Sequence, residues 1–418
     1  MKDMDKRVFD TAFALWASRS KIFSTRQRLK RYTYGDQWGD MISNDDGAMM
    51  IESSVIKMNG RRPITNNLIR RLIKTIVGRY RDMATENGWY DTANAEASLL
   101  EELDSRLLEE FLISGMAIQR VGDDNPLQPD SGTVTNVNPE AFFCNDFRDP
   151  RGYDIDLAGM LHDMSPAEIL LRFPGKTEDE RRKVQNFLAA GRSAEITCSS
   201  ASRQFLVAAP GRHRVVEVWT RELTRARKVK WRVRWFTGDG MLLDSYDSPW
   251  RHGGHPFAVK FYPLTDGEIH SFVEDIIDQQ RYINRLIVLI DSILKTSAKG
   301  VLLFPTPQLT PGFPLEKVKE AWAKPGGVIE ISGRSNILPQ QLSASGGDTA
   351  AYRLLEMELN LFDRTSGVGS ALTGTAAADS AGLGHYRAQV ESATIALADV
   401  FRTFRALTER RDALLTGN

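Results

Sequence analysis

The sequence predicts an α+β fold, mainly helical, in which two long helices flank a small αβ insert and follow a β-containing region. Three observations predict it. Thr265 to Lys299 contains no proline and sets Ile269, Val273, Ile276, Ile277, Ile283, Leu286, Ile287, Ile290, Ile293 and Leu294 mostly three, four or seven residues apart, one apolar stripe of a helix. Asp348 to Ser366 carries Ala351, Leu354, Leu355, Leu359, Leu361 and Phe362 and stops at Gly367, a C′ glycine. Val229, Trp231, Val233 and Trp235 alternate with Lys228, Lys230, Arg232 and Arg234, the period of a strand.

Taken in order, Asp3 to Leu29 places Phe9, Phe13, Trp16 and Phe23 on one helical stripe, and Thr11 to Gly35 holds Arg19, Lys21, Arg26, Arg28, Lys30 and Arg31 without an acid. That run either contacts nucleic acid or an acidic neighbour, or is a solvated helix face. Asp40 to Gly60 is rich in Gly, Asn, Asp and Ser and predicts a loop. Helices are expected over Pro63 to Arg81, with basic residues off its apolar stripe, and over Asn94 to Ile118, which is acidic; the two could complement each other within one subunit or between subunits. Asn138 to Tyr153 looks irregular, and its aspartates lack the alternating spacing of a calcium loop. Ser165-Pro166-Ala167-Glu168 is a capping box with proline at N1. His213 to Tyr246 is the strand-rich stretch, turning at Thr237-Gly238-Asp239-Gly240, with Trp and Val on one face and solvated cations on the other.

The first long helix opens with a capping-box spacing at Thr265 and Glu268 and spans roughly 50 Å at 1.5 Å per residue. The insert predicts a strand at Val301 to Phe304, a proline-rich turn, a helix at Leu315 to Ala323 and a strand at Gly327 to Ile331. So small a unit closes poorly alone, which favours assembly with neighbours. Gly367 to Gly384 is small and nearly uncharged, with Asp379 its one charge and too little apolar surface to offset the entropy of ordering. A terminal helix follows from near Leu383.

This order of elements resembles the portal proteins of tailed bacteriophages. Local wording carries the same resemblance: Tyr34-Gly35-Asp36-Gln37-Trp38, Arg62-Pro63-Ile64-Thr65-Asn66-Asn67, and Val273-Glu274-Asp275-Ile276-Ile277-Asp278-Gln279-Gln280 followed by Ile283-Asn284-Arg285. The resemblance implies a wing over 1–265, a first stem helix over 266–299, a clip over 300–347, a second stem helix over 348–366, a tunnel loop over 367–382 and a terminal wing or crown helix over 383–418. It implies stem packing by Ile276, Ile283, Ile287, Ile290, Leu355 and Phe362, a clip interface at Phe304, Trp322 and Val328, and a channel lining at Gly369, Ser370, Thr373, Gly374 and Asp379. It further implies a homo-oligomeric ring, a dodecamer, at one capsid vertex of the virion. Double-stranded viral DNA would pass through it during packaging and ejection. The terminase large subunit, head-completion or adaptor proteins, and capsid or scaffolding protein would be partners, with assembly in the host cytoplasm. Longer members continue past the crown as a helical barrel; with the sequence stopping at Asn418, any such barrel is missing or was never there.

Composition sets bounds. The 418 residues are 42% hydrophobic and 26% charged, and Lys+Arg equals Asp+Glu at 54 each. Neutrality argues against a broad nucleic-acid grip and is compatible with a channel through which DNA slides. Neither a signal peptide nor a membrane span is expected, and Cys144 and Cys198 imply no disulfide framework. Pro174-Gly175-Lys176-Thr177 is not a phosphate loop, because Leu170 stands where glycine is required. His252-Gly253-Gly254-His255 lacks a third ligand for zinc. No catalytic residue, cofactor or metal is expected. The alternatives are a monomeric helical nucleic-acid-binding adaptor and a hydrolase with an unrecognised site.

Overall fold

A computed structural model describes residues 2–44, 46–90, 95–122, 134–175, 177–190, 205–224, 227–297, 301–310, 312–323, 328–332, 336–342, 347–368 and 395–416. The chain divides into two compact units. The larger comprises Met1–Asp36, Asn67–Asp278 and Asp363–Asn418; the smaller comprises Gln37–Asn66 and Gln279–Phe362. Within 1–265, Gln37–Asn66 thus groups with the first long helix and the insert rather than with its sequence neighbours.

The N-terminal stripe forms two helices, α1 (Lys2–Ser18) and α2 (Ser20–Tyr34). They break at Arg19, whose guanidinium turns inward to donate to the Cys144 carbonyl oxygen at 3.2 Å. Asp40–Gly60, expected as a loop, instead forms a hairpin of β1 (Met41–Ser43) and β2 (Met49–Ile51), then α3 (Glu52–Met58). Asn44 makes that turn: its side-chain oxygen accepts from the Ala48 N–H at 2.8 Å, its carbonyl accepts from Gly47, and Gly47 takes φ 81°. Helix α4 (Leu68–Glu86) starts later than Pro63 because Asn67 is its N-cap, accepting from the Arg70 N–H. Helix α5 (Ala95–Ser114) ends at Gly115, φ 69°, and the chain turns into strand β3 (Met116–Val121) instead of continuing to Ile118. A Cβ at Gly115 would lie 3.0 Å from the Tyr262 carbonyl oxygen.

Strand β4 (Val134–Asn136) pairs with β3, and β5 (Phe142–Cys144) pairs with β6 (Leu157–Met164), a strand the sequence reading does not identify. Ser165 and Glu168 cap α6 (Pro166–Arg172) reciprocally, as expected, and α7 (Glu178–Ala190) follows. Strands β7 (His213–Leu223), β8 (Val229–Thr237) and β9 (Leu242–Asp247) complete an antiparallel sheet of order β5-β6-β7-β8-β9. Strand β10 (Phe257–Phe261) joins a second sheet, β10-β3-β4. The first long helix, α8, is Phe272–Ser297. Thr265–Gly267 is only a 3-10 turn, with Leu264 and Asp266 at positive φ. The capping box sits six residues further on: the Glu274 N–H donates to Ser271 Oγ at 3.2 Å and the Ser271 N–H to Glu274 Oε2 at 2.7 Å.

In the insert, β11 (Val301–Leu303) and α9 (Leu315–Ala323) fall where the sequence places them. The partner of β11 is β12 (Gln340–Leu342), whereas the expected strand at 327–331 is, from Val328 onward, neither strand nor helix and pairs in no sheet. Helix α10 (Gly347–Ser366) ends at Gly367, φ 66°, and α11 (Ala398–Thr416) closes the chain. The proposed tunnel-loop residues and the start of the terminal helix near Leu383 lie outside the described residues, as does Cys198.

The larger unit owns two apolar clusters, one on each face of the five-stranded sheet. Val216, Val218 and Phe236 pack against Ala12 and Trp16 of α1. Val215, Trp219, Val233 and Trp235 pack with Ile169, Phe173 and Val184 and with Met116, Phe257 and Phe261. Adjacent residues such as Val215 and Val216 enter opposite clusters, the consequence of the two-residue strand period. Each aromatic fully buried here contributes about 1.5–3 kcal/mol relative to exposure.

Candidate ring-assembly surface and its buried anchor

Four polar residues of α8 point one way. Gln280, Arg281, Asn284 and Arg285 are spaced one and four residues apart and form one side of the helix. All four reach the segment Gln37–Asn66. Gln280 Nε2 donates to the Asn66 carbonyl at 2.7 Å, and the Asn66 N–H donates to Asn284 Oδ1 at 3.0 Å. Asn284 Nδ2 donates to Gln37 Oε1. Arg285 Nε donates to Glu52 Oε1 at 2.6 Å and Arg281 Nη2 to Glu52 Oε2 at 3.1 Å. Trp38 Nε1 donates to Thr65 Oγ1 at 2.9 Å. Gln37, Glu52, Gln280 and Asn284 are buried, so each group removed from water finds a partner inside the cluster. The three motifs that carry the portal resemblance therefore meet in one anchor. Glu52, its central acceptor, lies in the stretch whose composition predicted a loop, and no local pattern marks it.

Around this anchor the smaller unit has little core of its own. Among its described residues the buried apolar side chains are Trp38, Ile283, Leu286, Val288, Ile290, Val318 and Phe362. Among the described residues, most of the large apolar side chains left exposed belong to it. On α8 the uncovered residues Tyr282, Arg285 and Leu289 follow each other at three- and four-residue steps, the spacing of a coiled-coil seam. On α10, Tyr352, Met357 and Leu361 are exposed, as are Leu303, Val328, Ile337 and Leu338 in the insert.

The residues expected at stem and clip separate by burial. Ile276, Ile283 and Ile290 are buried and Ile287 half-buried; Phe362 is buried and Leu355 half-buried. Phe304 and Trp322 are half-buried, and Val328 is 84% exposed. The buried positions are held within one chain, whereas Val328 is open.

The expected solvated cations are largely occupied internally. Arg234 is 3% exposed and pairs with Asp5 at 2.9 Å and Glu222 at 2.7 Å, while Lys230 pairs with Asp247 at 2.8 Å. The basic N-terminal run loses two members in the same way: Arg19 is buried, and Arg26 is buried between Glu110 at 2.7 Å and Glu140 at 2.6 Å. The basic α4 and acidic α5 pair within one chain, Arg81 to Glu101 at 2.8 Å and Arg70 to Glu109. Neither strand β8 nor α4 is a bare cationic face, because each carries its own counter-charges.

Buried chemistry in the larger unit is structural. Glu217 is fully buried; burial alone would raise its carboxyl, but Arg120 at 3.0 Å and His162 at 2.7 Å outweigh it and hold it below the usual carboxylate range. The loop histidines also spend their nitrogens locally. His252 Nδ1 accepts from the Gly254 N–H at 3.0 Å and His255 Nδ1 from the Phe257 N–H at 3.2 Å. Among the described residues no group of three or more His, Cys, Asp or Glu is placed to hold a metal ion, and no helix is long and apolar enough to cross a membrane.

The model of the phage P22-like portal protein family matches residues 95–411. The chain belongs to that family. No curated protein matches it. Membership makes this a structural, capsid-associated subunit of a phage, of a family that assembles as a ring.

Proposed function

We propose that this portal subunit assembles into a closed dodecameric ring at the capsid vertex and serves as the conduit for double-stranded viral DNA in packaging and ejection. The observation that carries this reading is the smaller unit, which anchors its elements with buried polar bonds yet leaves many of its large apolar side chains exposed. An isolated subunit with that surface is incomplete, whereas a ring covers it. The stem pairs α8 with α10, and the insert between them is the clip. The terminase large subunit docks on the clip during packaging, and head-completion or adaptor proteins dock there afterwards. Capsid or scaffolding protein holds the wing, and assembly takes place in the host cytoplasm. Energy for DNA movement comes from the motor.

Electron micrographs and solution mass of the purified protein test the proposal. Rings with a central hole and one discrete multiple of the subunit mass are expected. A protein that stays monomeric or dimeric at all concentrations while showing hydrolase activity or steeply salt-dependent DNA affinity overturns it.

A further inference from the structure

The segment Gln37–Asn66 carries more than the anchor. On the hairpin β1–β2, Met41 pairs with Ile51 and Ser43 with Met49, and this whole face is exposed: Met41 at 53%, Met49 at 61% and Ile51 at 46%. Met58, last residue of α3, is 67% exposed. A two-stranded hairpin is marginal alone, and this one presents its apolar face to solvent while its position is fixed by Glu52, Gln37 and Asn66. Methionine is an adaptable contact residue, so a Met-rich face of this kind accepts a helix without demanding one shape. The charges beside Met58 are all positive: Lys57, Arg61 and Arg62, all exposed.

The complement lies in the same unit. On α10, Tyr352 is 48% exposed, and at the four- and seven-residue steps of one helical stripe come exposed Glu356 and half-covered Leu359. That stripe is aromatic, aliphatic and acidic; the hairpin face is methionine-rich, and the basic charges lie at the Met58 end of the segment, in Lys57, Arg61 and Arg62. Both remain uncovered in a single chain, so they do not cover each other there. In a closed ring each subunit presents two different surfaces to its two neighbours, so a patch and its complement on one chain meet between chains.

We infer that the Met41–Met49–Ile51–Met58 surface of one subunit seats on the Tyr352–Glu356–Leu359 stripe of α10 in the adjacent copy, with Lys57, Arg61 and Arg62 steering toward Glu356. The occupant is a second copy of this chain, and the inference rests on the ring proposed above. The anchor has a role in this arrangement: it holds the hairpin in position before the neighbour arrives, so that less ordering cost is incurred on assembly.

Cross-linking tests it in a full-length Cys198→Ser background, where Cys144 is buried and unreactive. Met58→Cys and Tyr352→Cys proteins are prepared separately, mixed before assembly and treated with a short bis-maleimide. A cross-linked dimer on a denaturing gel from the mixture, with only monomer from either protein alone, is the expected result. The double variant is expected to give a ladder of chain multiples. A double variant that gives only an internally linked monomer, or intact rings that give no cross-link, overturns the inference. A charge-reversal series provides the second readout. Arg61→Glu with Arg62→Glu is expected to lose the ring peak by mass, and Glu356→Lys in that background to recover it. Retention of the ring in the first variant, or no recovery in the second while its monomer melts normally, counts against the interface. If the unsubstituted protein forms no ring, the proposed function itself fails; if it forms rings and the cross-link fails, only this contact does.

Discussion

At the scale of single residues, charges are used to fix geometry. Arg411 of α11 is buried with Asp104, their nearest atoms within hydrogen-bond distance, and Asp104 also accepts from Gln119 Nε2 at 2.8 Å and Tyr90 Oη at 2.7 Å. Removing the cation strands a buried carboxylate, so Arg411→Ala is expected to cost about 3–5 kcal/mol, read from the urea midpoint. Arg411→Met with Asp104→Leu removes both charges and is expected to cost less than the single change. His255 provides a pH signature. Burial, with Arg410 adding to it, pushes its imidazole down to about 3 from 6.5. Between those values the unfolded chain takes up a proton that folded His255 refuses, so its contribution to stability is present above pH 6.5 and is lost progressively as pH falls toward 3. The melting temperature is expected to drop on going from pH 7 to pH 5, and less steeply in His255→Gln; identical slopes would show that His255 does not contribute. None of this was visible in sequence: Arg411 carries no local pattern, and the His252-Gly253-Gly254-His255 spacing does not reveal what surrounds His255.

At the scale of elements, what was legible was local. The alternation at Val229–Trp235 became β8, and the boundaries of α9 coincide with the sequence pattern because its eight steps are all within one helix. Gly367 marks the end of α10 because the φ of 66° there suits glycine. What was not legible depends on distant partners. The expected capping box at Thr265 and Glu268 does not form, since Leu264 and Asp266 lock a turn there, and a different pair, Ser271 and Glu274, caps the helix. The hairpin β1–β2 looked polar because Asn44, Asp46 and Gly47 in its turn dominate the composition, while its apolar residues stay exposed. The anchor joins Asn66 to Asn284 across 218 residues, beyond any window of periodicity. Ile283 of the expected packing stripe lies inside the subunit, whereas Tyr282 and Leu289, which that stripe does not include, face out. Ile283→Asp is therefore expected to lower the monomer melting temperature sharply by burying a charge. Tyr282→Asp with Leu289→Asp is expected to leave it nearly unchanged and to abolish the ring peak in mass measurements. Equal loss of melting temperature in both variants would remove the distinction between packing face and assembly face.

At the scale of the whole molecule, the balance of 54 cations against 54 anions matters more than any single patch. Cations of the basic N-terminal run, of α4 and of β8 are paired within the fold at Arg26, Arg81, Lys230 and Arg234, which leaves fewer of them to grip phosphate. A conduit benefits from that arrangement, since phosphate pairing would hold the DNA it has to release. The proposed channel lining follows the same logic in its composition: Gly369, Ser370, Thr373 and Gly374 are small and neutral, and Asp379 is acidic. If those residues meet moving DNA, adding cations there creates a brake. Ser370→Arg with Thr373→Arg is expected to leave the ring mass unchanged and to slow packaging in a reaction containing proheads, motor and DNA. The slowing should shrink as salt rises, because counterions compete for the phosphates that the new arginines would pair with. Two results would place these residues away from the DNA path: an unchanged rate in intact rings, or a slowing that salt does not relieve. Replacing the same pair with glutamate gives the opposite charge at the same sites, and it is expected to spare the rate at low salt, where the arginine protein is slowest.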